Sequence, residues 1–160
     1  MSQLFKTKCA WSKGSDESAS RVGQFCHDYL PRTFDCVDVD CVIYKRATGM
    51  TRILEEKLPG EKISKAQVHV LPKLAQLIEL AVRGKLLPSG SGVFVVWHAN
   101  VNSRISEADD DDDVVIQKVP TNKYELEQMP TWRGKLRDIR PWLSGEFQEI
   151  QFSTEAMDGR

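Results

Sequence analysis

Carboxylates at Asp38, Asp40, Glu55 and Glu56, with an amine directly after them at Lys57, are the side chains whose types and spacing could do chemistry. Asp38 and Asp40 fall at the start of a β-branched and aromatic run ending at Tyr44, and Glu55-Glu56-Lys57 closes a second run that begins at Met50. Strand side chains alternate between faces. Glu55 and Lys57 therefore share one face, Glu56 takes the other, and Asp38 and Asp40 share a face. Pairing the two runs antiparallel brings two or three carboxylates and one ammonium within a few ångströms. Clustered carboxylates are costly without a cation, so the cluster points to a metal. Mg2+ takes hard oxygen ligands and keeps several waters. Two carboxylates and one backbone carbonyl would leave positions for water and a phosphate oxygen. The metal would lower the pKa of its water and offset phosphoryl charge. A nearby Lys would orient the attacking water or stabilise the charge of the transition state. Polarity of an exposed strand face is the competing explanation for each pair, although Asp is disfavoured in strands.

These residues need elements to hold them. The periodicity predicts an amphipathic helix from Ser15 to Leu30, ended by Pro31. Val37–Tyr44 and Met50–Leu58 read as strands joined by the turn Lys45–Gly49, which makes an antiparallel pair. Ser64 to Arg83 has apolar residues at helical spacing, a capping-box pair in Ser64 and Gln67, and a stop at Gly84. Pro72 inside this stretch predicts a kink or restart. Gly92–Trp97 is the most apolar run and reads as a strand buried on both faces, which gives a strand-helix-strand crossover. Val114–Val119 reads as a further strand, and Thr121–Leu143 as mixed helix and loop. Residues 1–14 form an irregular arm, 15–152 a single domain, and the chain from Ser153 a frayed tail.

In this order the residues resemble a known family. Asp40, the apolar Cys41-Val42-Ile43, then Glu55-Glu56-Lys57 resemble the PD-(D/E)xK nuclease signature, and Gln67 resembles the Gln that several branches carry on the following helix. The resemblance covers residues 15 to 98. It implies an α/β fold with a restriction-endonuclease-like core, a central mixed β-sheet of four to five strands flanked by helices. It also implies a small stand-alone nuclease of the phage or junction-resolvase type, cutting phosphodiester bonds with Mg2+ or Mn2+ and favouring DNA over RNA. Asp40, Glu55 and the Glu56 main-chain carbonyl would hold the metal, Lys57 would be the catalytic lysine, and Gln67 would face the site from its helix. Glu17 could be the acidic residue some branches place on the first helix. Val39 stands where the family has Pro, and Asp35, Asp38 and Asp40 compete for the role of first ligand. Asp40 is preferred because it directly precedes the apolar strand residues.

Composition fits one soluble domain of 160 residues with 41% hydrophobic and 28% charged residues. No apolar run approaches the roughly 18 residues of a membrane span, and no secretory signal is seen, so the expectation is a cytoplasmic protein with no membrane partner. The cysteines at 9, 26, 36 and 41 read as free thiols; a zinc set from Cys26, His27, Cys36 and Cys41 matches no common finger. The net charge of −1 hides Glu107 and five consecutive Asp at 109–113, read as a solvated loop. Basic residues cluster at Lys6 to Lys13, Lys62 to Lys85 and Arg133 to Arg140, and phosphate binding needs only local positive charge. His69 and His98 read as ordinary packed or surface residues. Trp97, Trp132 and Trp142 read as core, although Trp132–Arg137 could grip nucleic acid. No phosphate loop of the NTPase type is present, so ATP use is not expected. Paired cuts would require a homodimer. Two rivals stand beside the enzyme: a non-catalytic nucleic-acid- or protein-binding module on the same fold, and an inhibitor whose Asp run mimics DNA charge.

Overall fold

The computed structural model describes residues 39–58, 60–98, 109–144, 146 and 149–153. Strands β1 (Cys41–Lys45) and β2 (Met50–Lys57) form an antiparallel hairpin. Its turn closes on the Lys45 carbonyl, which accepts from the N–H groups of Thr48 and Gly49, and Gly49 supplies the positive φ of 75° that a side chain would resist. Helix α1 (Lys65–Arg83) then crosses over to β3 (Gly92–His98), which pairs parallel to β2. Strands β4 (Asp113–Lys118) and β5 (Thr131–Lys135) add on antiparallel, and the sheet order is β1-β2-β3-β4-β5. A 3-10 helix (Lys123–Gln128) lies between β4 and β5, and α2 (Leu136–Leu143) follows β5 directly. The protein is thus α/β, a five-stranded mixed sheet with a helix on each face.

Each face is covered for a reason visible in the residues. Gln67, Leu71, Ala75 and Ile78 recur at three to four positions along α1, and the three apolar ones pack on Val93 and Val95 of β3. The alternate residues Phe94 and Val96 face the other way. With Leu54, Val114 and Ile116 they lie under Leu136, Ile139, Trp142 and Leu143 of α2. Strand β3 therefore carries apolar side chains without interruption, as a strand buried on both faces must.

The α2 face has a buried charge at its centre. Arg52 of β2 is fully buried. Its Nε donates to the Gly90 carbonyl at 3.0 Å, its Nη1 donates to the Trp142 carbonyl, and its guanidinium carbon lies 4.1 Å from the Trp142 ring centroid. Burial lowers its pKa from the ordinary arginine range to about 10. Trp142 also meets Phe94 edge to face with centroids 4.8 Å apart, a favoured aromatic geometry.

Several expectations need correction. Helix α1 runs through Pro72 without a restart. Pro72 is itself buried, and the apolar stripe continues on both sides of it, so packing outweighs one missing hydrogen bond. Asp40 sits in the bend before β1, which begins at Cys41 and not earlier among the described residues; Val37 lies outside them. The region from Thr121 holds a fifth strand as well as helix. Ser153 is no frayed end, because it exchanges two backbone hydrogen bonds with Thr131 at 2.8 and 2.9 Å. The predicted helix at 15–30, the arm at 1–14, and Glu17, Asp35 and Asp38 lie outside the described residues, as do Cys9, Cys26, His27 and Cys36. Cys41 is a half-buried thiol that forms no disulfide among the described residues. Among the described residues no helix is long and apolar enough to cross a membrane.

Trp142→Ala removes the ring that Phe94 and Arg52 both contact. It is expected to cost about 3–5 kcal/mol, measured as a lower midpoint of urea unfolding with little change in slope.

Candidate functional site

The last three residues of β2 divide between the sheet's two faces. Glu55 and Lys57 lie opposite Val95 and Trp97 of β3 and share the α1 side. Lys57 Nζ is 2.9 Å from Glu55 Oε1, and Gln67 Nε2 donates to the same oxygen. Glu55 is 4% exposed, and its second oxygen, Oε2, is buried with no hydrogen-bond partner among the described residues. Asp40 comes one position beyond the Cys41–Leu54 pair, which places it across from Glu55. Its Oδ2 accepts the Glu56 backbone N–H at 2.7 Å. Asp40, Glu55, Lys57 and Gln67 are thus brought together.

Gln67 serves two purposes. It is the third residue of α1, its Oε1 accepts the Ser64 N–H at 2.9 Å, and its own N–H donates to Ser64 Oγ at 3.2 Å. The capping box and the contact with the site use opposite ends of one amide and occur together.

The electrostatics follow from burial. Desolvation raises the Glu55 carboxyl above its ordinary range. The Lys57 hydrogen bond opposes this, the Asp40 charge adds to it, and Lys57 attraction and the Gln67 amide oppose it again. The Asp40 carboxyl is also raised, first by desolvation. The Glu56 N–H opposes that, Glu56 repulsion adds to it, Lys57 opposes and Glu61 adds. Two carboxyls that both resist ionisation, one with a buried oxygen lacking a partner, fit a hard divalent cation. Asp40 and Glu55 would hold it, with the Glu56 carbonyl as third oxygen. Among the described residues no group of three or more His, Cys, Asp or Glu side chains could hold a metal, so an ion here would rest on two carboxylates, backbone oxygen and water.

Glu56 faces the opposite side, where its Oε1 lies 2.7 Å from Nε2 of His98, the last residue of β3. The His98 side chain is fully buried, and neither ring nitrogen has a hydrogen-bond partner of good geometry. Sequence reasoning passed over His98 as ordinary. Only the parallel register between β2 and β3 brings it to Glu56, and no motif encodes that register. His69 is exposed on α1. Trp97 donates from Nε1 to Gln117 at 2.7 Å and packs toward α1, while Trp132 and Trp142 pack toward α2, as core tryptophans do.

No protein-family model matches the chain, and no curated protein or solved structure matches it.

Asp40→Asn keeps an acceptor for the Glu56 N–H and removes one of the crowded charges. In EDTA at pH 7 the variant is expected to melt above the wild type. The gap should close as pH falls through the raised Asp40 pKa toward the ordinary carboxylate range, because protonation then relieves the wild type of the same penalty. Thermal melts followed by circular dichroism across that range measure this.

Proposed function

We propose that the protein is a metal-dependent nuclease that hydrolyses phosphodiester bonds, with DNA as substrate. The observation that carries this is the convergence of Asp40, Glu55, Lys57 and Gln67 at one end of β2, with a buried Glu55 oxygen left unpartnered. Support also comes from the order of elements. An antiparallel strand pair, a crossover helix and a strand parallel to the second form the arrangement expected of a restriction-endonuclease-like core. Mg2+ or Mn2+ held by Asp40, Glu55 and the Glu56 carbonyl would activate water and neutralise charge at phosphorus.

The remaining chemistry belongs to the chain's own residues. Hydrolysis adds water to phosphorus and breaks one P–O ester bond, leaving a phosphomonoester and a hydroxyl. Negative charge grows on the phosphoryl oxygens on the way. Lys57, held against Glu55 and 12% exposed, offers a fixed ammonium to that charge. Gln67 holds Glu55 Oε1 and leaves Oε2 for the site. Fixed donors cost no reorganisation at the moment of reaction.

Incubation with single-stranded, duplex and branched DNA tests the proposal. Cleavage is expected in Mg2+ or Mn2+ and not in Ca2+ or EDTA. Lys57→Ala should lose on the order of 10² to 10³ in rate while its circular dichroism spectrum is kept. Binding without cutting under every metal would assign a non-catalytic module instead.

A further inference from the structure

The acidic run is exposed, but its charges are not left to solvent. Asp110 pairs with Arg140, Asp111 with Arg137, and Asp113 with Lys135 at 2.8 Å. The main chain takes part too. The Asp112 carbonyl accepts from the Leu136 N–H at 2.9 Å and the Asp110 carbonyl from the Arg137 N–H at 3.0 Å. Helix α2 has no side-chain cap at its start, so this segment satisfies its first N–H groups. The acidic stretch thus lies along a basic strip running from the end of β5 into α2.

We propose that this strip, Lys135, Arg137 and Arg140, is a binding surface for the DNA phosphate backbone, and that Asp110, Asp111 and Asp113 occupy it in the free protein. Three observations carry the inference. A carboxylate of the acidic run stands on each of the three cations, and Arg137 also has Asp138 at 4.0 Å. The pairs are open to water, with Asp111 at 77% and Arg137 at 59% side-chain exposure. Exposed pairs contribute little to stability, so they exchange readily for phosphate. Finally, the strip opens at the same end of the sheet as the candidate site. Lys57 stands opposite Trp97, Val114 opposite His98, and Asp113 opposite Lys135. From β2 to β5 is three strand spacings, roughly 14 Å, comparable with the roughly 12 Å width of a major groove. Lys135 alternates onto the same side of the sheet as Lys57, whereas Arg137 and Arg140 stand on α2, so a duplex would meet both by passing over this end from one face to the other. The arrangement also weighs against the acidic run as a mimic for an outside partner, because three of its five aspartates are already paired with cations of the same chain.

The partner is taken from the nuclease proposal, so the test reads binding and not cleavage. Affinity of the full chain for a short fluorescent DNA duplex is measured in EDTA by anisotropy over a salt series. Asp110→Asn, Asp111→Asn and Asp113→Asn together keep the backbone carbonyls. They are expected to tighten binding roughly tenfold at low salt and to steepen the salt dependence by about 0.9 per freed cation. Asp111→Asn alone, which removes the nearer of the two carboxylates beside Arg137, gives a smaller change in the same sense and serves if the triple variant does not fold. Three findings would each overturn the proposal: unchanged affinity in a folded variant; an equal gain from Glu125→Gln, Glu127→Gln and Glu149→Gln, which add the same charge elsewhere; or a gain that survives Lys135→Gln, Arg137→Gln and Arg140→Gln. A protein that binds DNA as expected and cuts nothing would sink the nuclease and leave this surface standing; one that cuts with its affinity unmoved would do the reverse.

Discussion

Strand β2 carries buried charge on both faces, and each charge has to be met from across the sheet. On one side stands the guanidinium of Arg52. It is solvated by the carbonyls of Gly90 and Trp142 and by the Trp142 ring. On the other side Glu55 is met by Lys57 from its own strand and Gln67 from α1. A buried ion without partners costs several kcal/mol, so these contacts fix where α1, α2 and the turn before β3 can lie. Arg52 ties the sheet to the end of α2, and Glu55 ties it to the start of α1. The two helices are thus registered against one strand by polar contacts, and the apolar side chains fill the space between.

The parallel pairing of β2 with β3 sets the chemistry. It brings the C-terminal ends of two central strands side by side, so Lys57 and His98 emerge at neighbouring points on opposite faces. Charged groups held at such an end, half-relieved by one another, leave the free protein short of its best stability, as functional clusters often do. The raised Asp40 and Glu55 carboxyls are the local sign of this.

Much of this was legible before any coordinates. The hairpin, the stripe on α1 and the runs of β3 and β4 follow from periodicity of 2 and 3.6, and the Glu55–Lys57 alternation alone places those two on one face. Strand β5 was missed because Arg133-Gly134-Lys135 breaks the expected alternation; it is a strand because β4 offers it a ladder from Asp113 to Gln117. Gly134 there leaves room for the Trp132 ring, which an added Cβ would meet at 2.6 Å, and that close approach has no sequence signature. Helix α2 is eight residues with Pro141 inside, too short to declare itself. Pro72 misled in the other direction, since propensity is a weak prior against a well-packed helix face. The acidic run was rightly placed on the surface, but nothing in its composition names the cations, some 25 residues downstream, that answer it.

The two ends of the Gln67 amide have one more implication. An amide whose oxygen is claimed by Ser64 has only its nitrogen to turn toward Glu55, so its orientation is fixed without ambiguity. The opening turn of α1 and the posture of the carboxylate are then a single mechanical unit. Helix ends unravel well below the temperature at which a whole domain melts. Warming would therefore disorder the carboxylate through the fraying of four backbone residues while the sheet beneath stayed intact.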